Sequence, residues 1–241
     1  MDNHTDQNAS FTLPFSFDVT ALQSDLEKCM KFDFLGNYIP ENYDGKNYIL
    51  PLRSIEGKIN MPAALPGNDH NYRDTEALEA CPYFRQVIDT FLCRKETVRL
   101  MNLPAGKKIN EHTDDTSGYE DGYFRIHVPV VTNDQVDFWL NGKVLNMRAG
   151  EAWYTNVNLP HSVENNGATD RIHLVIDCLR NDWSDKLFES MGYDFELEKG
   201  KAPDAGYSEE VVEQIIANLE LQGTPGSQAL IDELKKTHGI R

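Results

Sequence analysis

The chain has 241 residues, of which 40% are hydrophobic and 10% aromatic, and its formal net charge is −16. This apolar content is enough to form a packed core and excludes a disordered chain, while the acidity argues against nucleic acid and anionic membranes as partners. No stretch approaches the roughly 18 apolar residues that a membrane-spanning helix needs.

The amino-terminal segment and the cysteines predict an intracellular location. Residues 1–10 are polar and contain no basic stretch followed by an apolar one, so we expect no secretory signal. The four cysteines are scattered without a Cys-x-x-Cys pair, which favours buried thiols over a disulfide framework. We therefore expect a soluble, cytoplasmic protein.

Residues 1–17 are predicted to lead into a short strand, and a first helix is predicted after it. Thr20 and Gln23 have the spacing of a capping box, which marks the start of a helix. The apolar residues that follow at helical spacing are Leu22, Leu26, Cys29 and Met30. They are expected to face the core.

Two further segments precede the β-rich part of the chain. Residues 48–53 form a strand-like run inside a stretch rich in Asn, Gly, Pro and Tyr. Residues 75–93 have helical periodicity, and Pro82 interrupts it because proline cannot donate a backbone hydrogen bond within a helix. We therefore expect two helices there.

From residue 97 the chain consists of short β-rich runs that are separated by turn sequences such as Asn141-Gly142. The predicted strands are 97–103, 108–112, 123–132, 135–140, 143–147, 151–154 and 171–178. Strands at this spacing without intervening helices indicate an antiparallel double sheet. The predicted fold is mainly β with flanking helices, around a double-stranded β-helix (jelly-roll or cupin) core.

Helical patterns return after this region, with helices predicted to begin at Ser208 and Ser227. We predict one globular domain in three parts, listed here by residue range: a helical and irregular segment packed on the core (1–96), the jelly-roll catalytic core (97–183) and carboxy-terminal helices (184–241). These last helices are candidates for a homodimer contact.

A candidate metal site is formed by His112, Asp114 and His161. Residues two apart in a strand point to the same face, so His112 and Asp114 are expected to face inward together. Two histidines and one carboxylate are the facial triad of non-haem Fe(II) oxygenases, which leaves adjacent positions open for a bidentate cosubstrate and O2. A non-iron cupin site is the main alternative.

Arg171 lies ten residues beyond His161 and turns the metal hypothesis into a reaction hypothesis. A guanidinium group forms bidentate hydrogen bonds with a carboxylate. Arg171 is therefore a candidate for holding the far carboxylate of 2-oxoglutarate bound to the iron.

The sequence Arg125-Ile126-His127 is echoed by Arg171-Ile172-His173. An arginine on a buried strand needs an anionic partner, because an unpaired buried charge costs several kcal/mol. Arg125 and His127 are therefore candidates for contacting the cosubstrate or the substrate carboxylate. The alternative is that Arg125 forms an internal salt bridge with Asp137 or Asp177, and His173 is a core histidine.

Arg99 and Arg53 are candidates for binding a substrate carboxylate. Arg99 lies on the strand before the His112 strand, and Arg53 ends the run of residues 48–53. For each of them the alternative is a solvated charge at the end of a strand.

These residues carry a family resemblance. The chain resembles the aspartyl/asparaginyl β-hydroxylase family, including its bacterial L-proline cis-4-hydroxylase-like branch, over about a third of its length. The matching segments are Arg99-Leu100, Pro104-Ala105-Gly106, His112-Thr113-Asp114, Arg125-Ile126-His127, Arg148-Ala149-Gly150-Glu151-Ala152-Trp153, Leu159-Pro160-His161-Ser162 and Arg171-Ile172-His173.

The resemblance implies a double-stranded β-helix that hydroxylates with Fe(II), 2-oxoglutarate and O2. It assigns His112, Asp114 and His161 to iron and Arg171 to the C5 carboxylate of 2-oxoglutarate. It further implies that Arg125 and His127 lie against the cosubstrate or substrate carboxylates, and that Arg99 and Tyr48 lie near the substrate. Asp114 favours the bacterial branch, because the animal members that act on protein domains lack this carboxylate.

The leading hypothesis is therefore an Fe(II)/2-oxoglutarate-dependent dioxygenase that hydroxylates an unactivated C–H bond of a free amino acid or similar small carboxylate. One alternative keeps the enzyme but makes the substrate an Asp, Asn or Pro side chain in a peptide or protein. Another is a non-catalytic, cupin-like module that binds a metal and a small acid.

Overall fold

The computed structural model describes residues 7–36, 43–44, 48–62, 71–114, 116–198, 216 and 235, with the backbone alone at 43, 44 and 48. By its internal contacts the chain divides into two compact units, Met1–Glu198 and Lys199–Arg241. The helices and strands whose two ends are among the described residues lie in the first unit. Apart from Ile216 and Lys235, which are helical, the helices predicted to begin at Ser208 and Ser227 lie outside the described residues.

The described residues of the first unit form thirteen β-strands and four α-helices with the following bounds. The strands are β1 (Ser10–Ser16), β2 (Leu35–Gly36), β3 (Tyr43–Asp44), β4 (Tyr48–Ile55), β5 (Tyr72–Asp74), β6 (Lys95–Leu103), β7 (Lys108–His112), β8 (Tyr123–Val131), β9 (Val136–Leu140), β10 (Lys143–Leu145), β11 (Glu151–Thr155), β12 (His161–Asn165) and β13 (Arg171–Leu179). The helices are α1 (Val19–Cys29), α2 (Glu76–Glu79), α3 (Pro82–Thr90) and α4 (Asp182–Ser190).

The strands form two antiparallel sheets. The larger sheet has the order β1-β11-β8-β13-β6-β4-β2, with β5 beside β4, and the smaller has the order β10-β9-β12-β7-β3. Consecutive strands such as β12 and β13 lie in different sheets, as expected for a jelly roll. The predicted fold class is confirmed.

The two faces of the larger sheet differ in polarity. On its central strand β13, Leu174 and Ile176 belong to the apolar core that includes residues of α1 and α3. Arg171, His173 and Asp177 alternate with them, so they point to the opposite face, toward the smaller sheet. The interior between the sheets therefore combines these polar side chains with an apolar cluster that includes Phe138, Leu140 and Val163, and this is where the candidate site lies.

The start of α1 differs from the prediction. Asp18 is the N-cap, and its Oδ1 accepts a hydrogen bond from the backbone N–H of Ala21 at 3.1 Å. The capping box at Thr20 was wrong, because the N-cap is two residues earlier, at Asp18, and the helix begins at Val19. Leu22, Leu26 and Cys29 are buried as predicted, but Met30 follows the last helical residue and is exposed.

The predicted strands from residue 97 onward are all present, with ends within two residues of the prediction. Pro82 is the first residue of α3 and separates it from α2, as predicted. Strand β12 was not predicted, because its sequence His-Ser-Val-Glu-Asn is mostly polar. Among the described residues, no helix has the length and apolar character to cross a bilayer.

Candidate active site

Two histidines and one aspartate meet between the sheets. His112 is the last residue of β7 and is paired in register with His161, the first residue of β12. Their ring centroids are 4.2 Å apart, and Nε2 of His112 lies 3.7 Å from Oδ1 of Asp114. One candidate ligand atom from each side chain lies within 4.8 Å of the other two. An ion with bonds of about 2.1 Å can reach all three after small side-chain movements.

Backbone carbonyls set the tautomer of both histidines. Nδ1 of His112 lies 2.8 Å from the carbonyl oxygen of Asn110, and Nδ1 of His161 lies 3.0 Å from that of Leu159. A carbonyl oxygen can only accept, so Nδ1 carries the proton and the lone pair is on Nε2. Burial lowers the pKa of His161 to about 4, so at neutral pH this imidazole is uncharged and able to bind a metal ion.

Asp114 is oriented by two hydrogen bonds and not by a strand, because β7 ends at His112. Its backbone N–H donates to the carbonyl of Val157 at 2.8 Å, and its Oδ2 accepts from Nη1 of Arg125 at 2.6 Å. Burial alone would raise the pKa of Asp114, but the charge and hydrogen bond of Arg125, together with the two nearby histidines, outweigh burial and hold the pKa below its usual value. The carboxylate therefore stays ionised, with Oδ1 on the side of His112.

A buried ion-pair network holds Arg125 on the side away from Asp114. Asp177 accepts from Nε of Arg125 at 2.7 Å with one oxygen, and from Nη2 of Arg99 at 2.6 Å with the other. The hydroxyl of Thr97 also donates to Asp177. Burial would raise the pKa of Asp177, but the charges of Arg125 and Arg99 lower it to about 2. This arrangement favours the alternative of an internal salt bridge for Arg125, with the added effect of orienting Asp114.

Arg171 is a buried cation without a counterion among the described residues. It is 2% exposed, and Nη2 donates to Nδ1 of His173 at 2.7 Å. Within the described part of the chain no carboxylate forms a salt bridge with it, and its Nε has no hydrogen-bond partner. Burial lowers its pKa to about 9. A buried charge without a counterion is costly, so this corner of the site is suited to an anionic ligand.

Phe138, on β9, connects the three polar groups of the interior. Its ring is stacked 6.4 Å from the ring of His161, lies 5.5 Å from the ring of His127, and has Cζ of Arg171 5.9 Å from its centroid. Neither ring nitrogen of His127 has a hydrogen-bond partner among the described residues. We did not predict Phe138, because one aromatic residue on an inward-facing strand position carries no recognisable motif.

Arg53 and Tyr48 were predicted to lie near the substrate. Nη1 of Arg53 forms a 2.6 Å salt bridge with Asp74, and Nη2 donates to the carbonyl of Tyr72 at 2.8 Å. These contacts favour the alternative of a charge at the end of a strand. Tyr48 is the first residue of β4, and its side chain lies outside the described residues.

The contacts of Arg53 predict a stability phenotype without a catalytic one. The variant Arg53→Gln loses a partly exposed ion pair, so its free energy of unfolding should fall by about 1 kcal/mol. The Michaelis constant for substrate should not change. Urea denaturation and steady-state kinetics test this. A raised Michaelis constant at unchanged stability would restore Arg53 as a substrate contact.

The buried imidazoles predict an acid-sensitive fold. Burial is the main cause that lowers the pKa of His127, His161 and His173, to about 4 for His161 and well below 6.5 for the other two. In the unfolded chain the pKa of a histidine is about 6.5. Below that pH the unfolded chain therefore binds protons that the folded chain does not, and the free energy of unfolding falls as pH falls.

Each of these imidazoles should contribute a slope of about 1.4 kcal/mol per pH unit in the lower part of the window from pH 6.5 to 5. Chemical denaturation of the metal-free protein at pH 7 and pH 5 measures the loss. Replacing one imidazole, as in His127→Phe, should reduce the slope by that amount. A free energy of unfolding that is constant over this window would contradict the buried, neutral state of the histidines.

Comparison with known proteins gives consistent results. The family described as aspartyl/asparaginyl beta-hydroxylase matches residues 37–181, more than half of the chain. L-proline cis-4-hydroxylase of Rhizobium meliloti (strain 1021) is 22% identical over 166 residues, which cover 68% of this chain and 59% of that protein. The chain therefore spans less than two-thirds of that relative.

A solved structure shares the fold. The crystal structure of an oxidoreductase of the 2OG-Fe(II) oxygenase family from Burkholderia pseudomallei has a TM-score of 0.51 at 15% identity, over 72% of this chain and 86% of that one. At this level of identity the likeness concerns the arrangement of the sheets alone.

Proposed function

The chain belongs to the aspartyl/asparaginyl beta-hydroxylase family, and on this basis we propose that it is an Fe(II)- and 2-oxoglutarate-dependent dioxygenase. The proposed reaction inserts one oxygen atom of O2 into an unactivated C–H bond of a free amino acid or similar small carboxylate, and it releases succinate and CO2. The observation that carries this proposal is the pairing of a two-histidine, one-carboxylate cluster with an uncompensated buried arginine.

The proposed metal ligands are Nε2 of His112, Nε2 of His161 and Oδ1 of Asp114. This donor set suits Fe(II) and leaves adjacent coordination positions open. Iron bound there would activate O2 for the oxidative decarboxylation and the hydroxylation that follows it. The protein supports the carboxylate ligand through Arg125, whose other edge is held by Asp177. Such outer contacts orient the ligand and tune metal affinity.

The proposed cosubstrate site extends from the metal cluster to Arg171. A guanidinium fork complements a carboxylate, so Arg171 would take the distal carboxylate of 2-oxoglutarate and regain the counterion that it lacks. The two ring nitrogens of His127, which have no hydrogen-bond partner in the described part of the chain, would supply one donor and one acceptor to the same space. Phe138 would form an apolar wall against the methylene groups.

The proposed substrate is a free amino acid, which rests on the similarity to a hydroxylase named for L-proline and on the presence of Asp114. Arg99 is bound to Asp177, so a contact with the substrate carboxylate requires its remaining donors.

We also propose residues 97–183 as the catalytic core and a cytoplasmic location, to which the buried, free thiols of Cys29, Cys81 and Cys178 are suited.

Incubation with Fe(II), ascorbate, 2-oxoglutarate and each of the twenty amino acids tests the proposal. We expect succinate and a product 16 Da heavier with at least one of them. Succinate that forms only with Asp-, Asn- or Pro-containing peptides would support the peptide alternative. No succinate with any of these substrates would contradict the oxygenase and support a binding module.

A further inference from the structure

The imidazole of His173 forms a hydrogen bond with Arg171, and only one assignment of donor and acceptor is possible. Nη2 of Arg171 lies 2.7 Å from Nδ1 of His173. A guanidinium group has donors but no acceptor, so Nδ1 must accept and the ring proton must be on Nε2. This Nε2 is buried and has no hydrogen-bond partner within the described residues. His173 is therefore not a core histidine with all its hydrogen bonds made.

The same contact keeps His173 uncharged. Burial, followed by the charge of Arg171, lowers the pKa of His173 well below 6.5. Protonation at Nδ1 would also remove the acceptor and place two positive charges side by side. The imidazole therefore holds the guanidinium without neutralising it, whereas a carboxylate at this position would compete with an anionic ligand for the charge of Arg171.

The backbone of His173 is fixed on both sides. It lies on β13, the strand that pairs with both β6 and β8, and it is opposite Met101 on one side and Pro129 on the other. Arg171 lies two residues earlier on the same face, at the end of the strand. The histidine is thus a rigid reference point for a long side chain that would otherwise have several rotamers.

We propose that His173 is a positioning residue that fixes the guanidinium of Arg171 for the distal carboxylate of the cosubstrate, and that it thereby makes the site selective for 2-oxo acids with a second carboxylate. This inference rests on the proposed function. The role differs from that of Arg171 itself, since His173 acts through the guanidinium and needs no contact with the ligand.

A cavity of about 470 Å³ lies beside His173. Its other lining residues include Phe138, Leu145 and Met147, whereas none of the three metal-cluster residues lines it. The imidazole is therefore bordered by open space on one side. A side chain of similar size can replace it without a steric clash, which makes substitution a usable test.

The test uses equilibrium binding to the full chain, loaded with Mn(II) in place of iron. The ligands are N-oxalylglycine, an inert analogue with both carboxylates, and pyruvate, a 2-oxo acid without the second one. The variant His173→Leu should bind N-oxalylglycine about tenfold more weakly, the loss expected for one hydrogen bond to a charged group. Pyruvate binding should stay within about twofold, because no second carboxylate reaches Arg171.

Two further variants separate positioning from a general structural effect. His173→Asn keeps an acceptor near Nδ1 and should recover most of the affinity for N-oxalylglycine. In the double variant with Arg171→Gln, the loss should be no larger than in Arg171→Gln alone, because His173 acts only through that guanidinium. A structural role would instead weaken both ligands equally and give losses that multiply.

The two proposals fail in different ways. If the wild-type protein with Mn(II) does not bind N-oxalylglycine, the proposed cosubstrate site is wrong and the role of His173 with it. If the wild type binds and His173→Leu binds equally well, only the positioning role is overturned. Equal weakening of pyruvate and N-oxalylglycine also overturns it.

Discussion

Replacing Asp114 by alanine is expected to abolish hydroxylation. The variant loses the only carboxylate of the proposed ligand set, so that two imidazoles alone would have to hold Fe(II). It also leaves the Nη1 group of Arg125 without its 2.6 Å partner, so a positive charge then faces the place of the metal ion. We expect Fe(II) affinity to fall by about 100-fold or more, since loss of a supporting residue alone costs 10- to 100-fold.

Product formation by mass spectrometry and metal binding by titration calorimetry measure this effect. The matched control is Thr113→Ala, because Thr113 is adjacent and its side chain is exposed. The control should retain activity and metal affinity. Hydroxylation by Asp114→Ala at a rate near that of the control would remove Asp114 from the ligand set.

Replacing Arg171 by glutamine is expected to raise the Michaelis constant for 2-oxoglutarate by about 100-fold, the loss of a charge-assisted, bidentate contact. The same substitution removes a buried cation that has no counterion within the described residues. The metal-free variant should therefore be as stable as the wild type or more stable, because an uncompensated buried charge opposes folding.

The variant Arg125→Gln provides the opposite case. It leaves the buried carboxylate of Asp177 without one of its two arginines and should lower the free energy of unfolding by about 3 kcal/mol or more. Kinetics and urea denaturation of both variants give a paired comparison. An unchanged Michaelis constant in Arg171→Gln, or a destabilisation as large as that of Arg125→Gln, would mean that Arg171 is part of the structural network and does not bind the cosubstrate.

The fold could be predicted because its signals are local. Turn sequences and runs of β-branched residues marked every strand of the core except β12, and proline marked the break between α2 and α3. Strand β12 was missed because its sequence is mostly polar and lacks a hydrophobic pattern. It is held as a strand by backbone pairing with β7 on one side and β9 on the other. The start of α1 was displaced because Asp18 offered a better capping oxygen than Thr20.

The members of the site could be predicted more easily than their contacts. Sequence spacing indicated that His112, Asp114 and His161 converge, and the structure brings them together. Sequence spacing could not predict which arginines form internal salt bridges and which one is left for a ligand, because this depends on strand register. Asp177 lies opposite Arg125 across β13 and β8 and balances its charge, whereas the apolar Leu103 lies opposite Arg171.

The most direct test of the central claim is a crystal structure of the protein with Mn(II) and N-oxalylglycine. We predict that the metal ion is bound by His112, Asp114 and His161, and that the distal carboxylate of the analogue forms two hydrogen bonds with Arg171. A metal ion bound elsewhere, or an analogue whose distal carboxylate points away from Arg171, would contradict the proposed active site.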